Sequence, residues 1–220
     1  MIDVPKKKHR TLTEVCHEKI RDDIVHNVLK PGTKLLLSEL NTRYEVGVGP
    51  LREALNRLSG EGLVIADGQR GFRVSAVSKE EIRDMCEVRV LLECEALKNS
   101  MANGDDEWEV NIVAAFHRLT MLEESQKIRD LPGWEHCNRA FHESLIAACD
   151  SLWLLRLRRI LYDSLTRYRF LVVNSGGIRR DVHSEHEALK DAVIARDVSK
   201  ACDTMQRHII GNVDENRFLT

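Results

Sequence analysis

The stretch from Val46 to Val64, VGVGPLREALNRLSGEGLV, restricts the fold of this chain more than any other. Gly47 and Gly49 allow a tight backbone turn, and Pro50 suits a first helical turn, where its missing N–H has no intrahelical partner. Leu51, Ala54, Leu55 and Leu58 then recur at three- and four-residue spacing, so they form one apolar helix face, with Arg52, Glu53, Asn56 and Arg57 on the others. Gly60 and Gly62 can end the helix. Upstream, SELNTRYEV offers Ser38 as an N-cap and Leu40, Tyr44 and Val46 as inward anchors of a shorter helix. Two short helices joined by a glycine turn predict a helix-turn-helix.

The following residues sharpen that expectation. Val64–Ala66 and Gly71–Val77 are β-prone runs separated by Asp67, Gly68, Gln69 and Arg70, which predicts a hairpin with a polar, basic tip. Helix-turn-helix plus hairpin is a winged helix, a geometry that presents the second helix to the major groove of double-stranded DNA. Arg52 is then the natural base-edge reader or phosphate clamp, with Arg43, Gly49, Gln69 and Arg70 as further candidate contacts. Periodicity alone equally allows an ordinary amphipathic surface helix, and the wing tips the reading toward DNA.

The run KPGTKLLLSELNTRYEVGVGPLREALNRLSGEGLV resembles the N-terminal domain of GntR-family bacterial transcription regulators. The shared features are a proline-glycine pair, a short leucine-containing helix and a REAL recognition helix, in which Arg52 matches the family arginine. Where the family usually carries a Ser-Arg-Thr-like cluster, this chain has Gly47, Val48 and Gly49, so no base preference carries over.

At 220 residues and 43% hydrophobic content, two small domains with their own cores are expected, divided as 1–77 and 78–220. Through Ser78 there are 13 lysines and arginines against 10 aspartates and glutamates, net +3, which leaves −5 for the rest of a chain whose total is −2. The positive end is thus the expected DNA end, and its small excess puts weight on a local patch and on dimerisation. Six cysteines without CxxC spacing suggest reduced thiols and a cytoplasmic protein, and no apolar run approaches the roughly 20 residues of a membrane span. Lys6, Lys7, Lys8 and Arg10 form either a phosphate-touching arm or a solvated tail.

In chain order, Leu12 to Leu29 reads as a first helix with Val15, Ile20, Ile24 and Val28 as its stripe. After the wing, Ser78 and Glu81 stand at capping-box spacing ahead of a helix over 79–102, with inward positions Ile82, Met85, Val88, Leu91, Leu92, Ala96 and Leu97. Further helices are expected over about 106–125, 133–149, 151–174, 179–195 and 198–213, with Asp105, Ser151 and Asp197 as N-caps. The fold class is therefore mainly α: a winged helix-turn-helix followed by an all-helical bundle.

The bundle resembles the FCD ligand-binding domain of the FadR subfamily, on VRVLLECEAL, NRAFHESLIAACDS and EHEALKDAVIARDVSKACDTMQRHI. VGVGPLREAL, GDDEWE and RYRF look similar to the carbon-starvation-induced regulator branch. Asn138 and His142, at i and i+4, share a helix face, and His186 and His208 fall on later helices. Three imidazoles and an oxygen can hold a divalent transition metal such as zinc or nickel, although histidines at helical spacing are more often solvated or core groups. Metal-binding FCD domains use a carboxylate or amide, a histidine four residues on and two later histidines, and the resemblance places those roles on these four residues. Asn138 stands where many members carry Asp, which removes one negative charge. Arg89 matches a pocket-facing arginine of the family. Arg167 and Arg169 are further candidates for holding a small organic acid through paired hydrogen bonds, against the plain alternative that helix arginines solvate or pair, as Arg89 does with Glu93 at i+4.

The favoured reading is a repressor controlled by an organic-acid effector, and because one small reader contacts too little DNA for tight binding, a homodimer on a pseudo-palindromic operator is expected. The alternative is a metalloenzyme fused to a winged helix, for which Glu185 and Glu187 beside His186 are the available general bases.

Overall fold

The computed structural model describes residues 10–68, 71–76, 78–123, 131–174 and 181–214, with backbone only at 171–174 and 212–214. Two compact units divide it, Met1–Val77 and Ser78–Thr220.

The first unit opens with α1 (Leu12–Val25), capped by a reciprocal box in which Thr11 Oγ1 accepts from Glu14 N and the Glu14 carboxylate accepts from Thr11 N. This helix is shorter than the sequence predicts. Its buried stripe is Thr13, Cys16, Ile20 and Ile24, while Val28 lies beyond the helix and is exposed. A two-residue strand, β1 (Lys34–Leu35), follows, then α2 (Leu37–Tyr44). Ser38 is not the cap: Leu36 occupies that position without a side-chain bond, and Glu45 ends α2 in the left-handed region at φ 57°. The second helix of the pair, α3 (Val48–Gly60), starts two residues before Pro50 and is capped by Gly47. Leu51, Ala54, Leu55 and Leu58 form its buried face, as the spacing predicts, and pack into one cluster with Ile20, Leu40 and Phe72.

The sheet order is β1-β3-β2, with β2 (Val64–Ala66) and β3 (Phe72–Val74) antiparallel and β1 antiparallel on the other side of β3. The strand predicted over 71–77 is thus shorter. Gly71 precedes it at φ +98°, a region that L side chains rarely adopt, and Val77 lies outside the described residues. The sequence contains no hint of β1 because two residues carry no periodicity. Gln69 and Arg70, and Lys6, Lys7 and Lys8, also fall outside the described residues.

The second unit is helical throughout its described residues: α4 (Lys79–Asn103), α5 (Asp106–Glu123), α6 (Leu131–Leu145), α7 (Leu152–Asn174), α8 (Val182–Ile194) and α9 (Val198–Asp214). Ser78 Oγ accepts from Glu81 N, and Asp105 and Asp197 accept from Trp108 N and Lys200 N, so these predicted caps form. α8 is capped by Asp181. α4 packs along α9 and α7, α5 against α6 and α8, and α8 against α9. No helix among the described residues is long and apolar enough to cross a membrane.

The buried face of α4 departs most from expectation. Cys86, Arg89 and Glu93 point inward between Ile82 and Leu97, whereas Val88 and Leu91 are exposed. A clamp closes the α4–α5 corner. Arg196, itself at φ 56°, donates to the carbonyls of Met101 (2.7 Å) and Gly104 (2.9 Å) and to Glu109 (2.7 Å), and its guanidinium lies 4.5 Å from the Trp108 ring centre.

Candidate metal and anion site, and the reading helix

On the first unit, α3 turns Val48, Gly49 and Arg52 outward at its N-terminal end. A Cβ added at Gly49 would meet nothing within 4 Å. Arg52 forms no ion pair with any described residue, so its guanidinium is available to a partner. Arg43 is also exposed, but it pairs with Asp23 at 2.7 Å, and the same carboxylate oxygen accepts from Tyr44 at 2.6 Å.

In the second unit, three helices bring the histidines together. His142 on α6, His186 on α8 and His208 on α9 are buried, and their candidate ligand atoms lie within 4.8 Å of one another. Carboxylates support two of them from outside: Glu123 at the end of α5 lies 3.0 Å from His186 Nδ1, and Glu185 lies 2.7 Å from His208 Nδ1. Such contacts fix an imidazole's tautomer and strengthen it as a ligand through the other nitrogen. Glu123 also meets His183 Nδ1 at 3.0 Å and accepts from Trp134 Nε1 at 3.2 Å. Its burial opposes ionisation, but these partners, His186 foremost, hold its pKa below the usual value.

Two atoms show that the donor set suits a cation. His142 Nδ1 and Asn138 Oδ1 are buried without a hydrogen-bond partner, although buried polar atoms normally have one. Burial first, then His208 and His186, hold the His142 pKa well below the ordinary histidine value, so at neutral pH the ring is the uncharged form that binds metals. Three imidazoles and an amide oxygen fit a first-row divalent ion with positions left for another ligand.

Beside the histidines is a buried charge network centred on Tyr162 of α7. The guanidinium carbons of Arg89, Arg139, Arg158 and Arg169 lie 4.6 to 4.8 Å from its ring centre. Glu93 accepts from Arg89 Nε (3.1 Å) and Arg158 Nε (2.8 Å); Glu135 accepts from Arg169 through both oxygens (3.1 and 2.7 Å). Three buried guanidiniums thus face two buried carboxylates, leaving one positive charge over, while Arg139 pairs separately with Asp163 at 2.6 Å. Arg158 Nη2 is buried without a partner. Burial lowers the Arg89 pKa, Glu93 opposes that shift, and Arg169 and Arg158 lower it further, so the cluster favours an added anion.

The structure therefore brings Asn138, His142, His186, His208, Arg89 and Arg169 into neighbouring positions. Arg167 is not with them: it lies 5.5 Å from the Tyr168 ring centre and near Glu81, on another face of α7. The Arg89–Glu93 pair, allowed by spacing as an exposed bridge, is fully interior. Sequence reasoning missed Glu93 as a core group, and Glu123, Glu135, Arg158 and Tyr162 altogether. A signal existed for two of them. Arg158, Tyr162 and Arg169 at i, i+4 and i+11 share one helix stripe.

A winged helix-turn-helix unit joined to a helical unit with a histidine cluster and an anion-favouring interior is the arrangement of a DNA-binding transcription regulator. The chain belongs to the GntR family, in the subfamily that carries an FCD domain: the model for bacterial regulatory proteins of the gntR family matches residues 12–74, and that for the FCD domain matches residues 84–211. It is 42% identical over 214 residues to the HTH-type transcriptional regulator BphR of Paraburkholderia xenovorans (strain LB400), covering 96% of this chain and 87% of that protein. It is 38% identical over 198 residues to the HTH-type transcriptional repressor GlaR of Escherichia coli (strain K12), covering 87% and 89%. Among solved structures, E. coli McbR/YncC shares the fold at a TM-score of 0.78 and 19% identity, over 93% of this chain and 96% of that one. The relatives are regulators, so the metalloenzyme alternative has no support. Glu185, one of its supposed bases, is engaged with His208.

Proposed function

We propose that this regulator is a homodimeric, cytoplasmic repressor whose helical unit senses a small organic acid with the help of a divalent metal. The observation that carries the reading is the meeting of two needs in one interior: the converged histidines with unpartnered donor atoms on His142 and Asn138, and the buried excess of guanidinium charge around Arg89, Arg158 and Arg169. His142, His186, His208 and Asn138 would hold the metal, which supplies a Lewis-acidic position for one oxygen of the acid. Arg89, Arg158 and Arg169 would receive negative charge at the other side. The likeness to a named repressor supports the sign of regulation.

DNA recognition falls to Arg52 and the Gly49 turn, with Gln69 and Arg70 of the wing contacting backbone and Arg43 secondary because Asp23 already holds it. One small reader contacts too little DNA for tight binding, so two readers on a pseudo-palindromic operator follow from the symmetry of a dimer. The test is a thermal-shift screen of organic acids with and without zinc or nickel, followed by operator titration. A ligand that binds the folded state raises the melting temperature. An acid that needs the metal for its shift, loses that shift in His142→Ala and releases the operator supports the reading. Acid responses indifferent to metal and to His142→Ala would remove the metal from it.

A further inference from the structure

Asn138 differs from an aspartate in a way that electrostatics alone does not describe. A carboxylate presents an oxygen whichever way it turns, but an amide presents oxygen on one side and N–H on the other. Something must decide which side faces the histidines.

The hydrogen bonds around Tyr162 make that decision. Glu135 is locked by two bonds from Arg169, and its Oε1 also accepts from the Tyr162 hydroxyl at 3.2 Å. The phenol has one proton, and it is directed at the carboxylate as the donor of that hydrogen bond. Its oxygen can then only accept on the other side, where Asn138 Nδ2 donates to it at 3.0 Å. With Nδ2 committed, Oδ1 is the atom left over, and it is the buried oxygen without a partner on the helix face shared with His142. Turning the amide over would set Oδ1 against a phenol oxygen with no proton between them, and N–H toward the position a cation would take.

We propose that Tyr162 is a positioning residue for the metal site: its hydroxyl, polarised by the Arg169–Glu135 pair, holds the Asn138 amide in the one orientation that offers oxygen to a cation. The inference rests on the metal reading above and adds a dependence that reading lacks. The ligand in α6 is only as good as the proton arrangement between α6 and α7.

A double-mutant comparison tests it. Zinc affinity is measured by competition with a chromophoric chelator for the wild type, Tyr162→Phe, Asn138→Asp and the double variant. Phenylalanine keeps the ring that the guanidiniums surround, and thermal melting checks that each protein is folded. In the Asn138 background, loss of the hydroxyl should weaken zinc about tenfold, as is usual for outer-shell partners. In the Asn138→Asp background, where either carboxylate oxygen serves, the loss should be less than about threefold. A Glu135→Gln variant gives a second route, since its amide can donate to the phenol and turn the phenol's proton toward position 138. It too should weaken zinc more in the wild-type background than in the Asn138→Asp background. Equal losses in both backgrounds would sink the positioning role while leaving the metal site standing. Zinc bound by neither the wild type nor Asn138→Asp would overturn the metal reading and this inference together.

Discussion

The reading unit and the sensing unit obey opposite rules about what may be buried. In α3 every inward position is aliphatic, and the charges of Arg52, Glu53 and Arg57 stand in solvent. In α4 the inward positions include Arg89 and Glu93, while Val88 and Leu91 face outward. The reader's interior is built for cohesion, and each fully buried leucine contributes roughly 1.5 to 3 kcal/mol. The sensor's interior is built around a charge network whose desolvation offsets much of its own attraction. A core that holds a charge network cannot be made as apolar as one that only holds a helix in place.

Breaking the sensor's network should have the largest effect. Glu93→Ala leaves Arg89 and Arg158 buried without their shared carboxylate, and removing one partner of such an arrangement costs about 3 to 5 kcal/mol. Calorimetry should show the loss in the helical unit, and high concentrations of a small carboxylate should recover part of it. An unchanged melting temperature would mean that the network is not a real charge balance. In the reader, Leu55→Ala should cost about 2 to 5 kcal/mol through an unfilled cavity, and no anion should recover it.

Gly104→Ala probes a place where the sensor is packed as tightly as the reader. An added Cβ would fall 2.2 Å from Trp108 Cε3, so the ring held under Arg196 must shift, at about 1 to 3 kcal/mol by chemical denaturation. The smallest change in stability is expected at Arg52→Ala, within about 0.5 kcal/mol for an exposed side chain. Its effect belongs to DNA, where loss of a bidentate contact removes about 1 to 3 kcal/mol of discrimination between operator and random sequence in a mobility-shift titration. Arg43→Ala should change that discrimination less. Equal effects from the two arginines would relocate the recognition surface.

The same contrast explains what is legible in the sequence. In the reader, α3's stripe at 51, 54, 55 and 58 is readable because apolar side chains and inward positions coincide there. The departures are local: Ser38 loses the cap to Leu36, and β1 is too short to leave a pattern. In the sensor the helices are readable, but the inward face of α4 is not, since hydrophobic periodicity assigns Val88 and Leu91 to the core in place of Arg89 and Glu93. The histidine constellation is visible only through family resemblance, because 142, 186 and 208 share no local spacing. Glu123, Glu135 and Arg158 reach their partners across helix contacts, which single-chain periodicity does not encode.

The order β1-β3-β2 makes the wing a cantilever. Its root is clamped on the β1 side of β3: the N–H of Gly32 donates to the carbonyl of Val74, that of Val74 to Thr33, and the Arg73 side chain returns to Gly32. The hydrogen bond from Asp67 N to Gly71 O closes the hairpin short of its tip. Whatever residues occupy positions 69 and 70, the anchorage beneath them stands on other bonds. Substitutions at those two positions therefore leave the root of the wing standing.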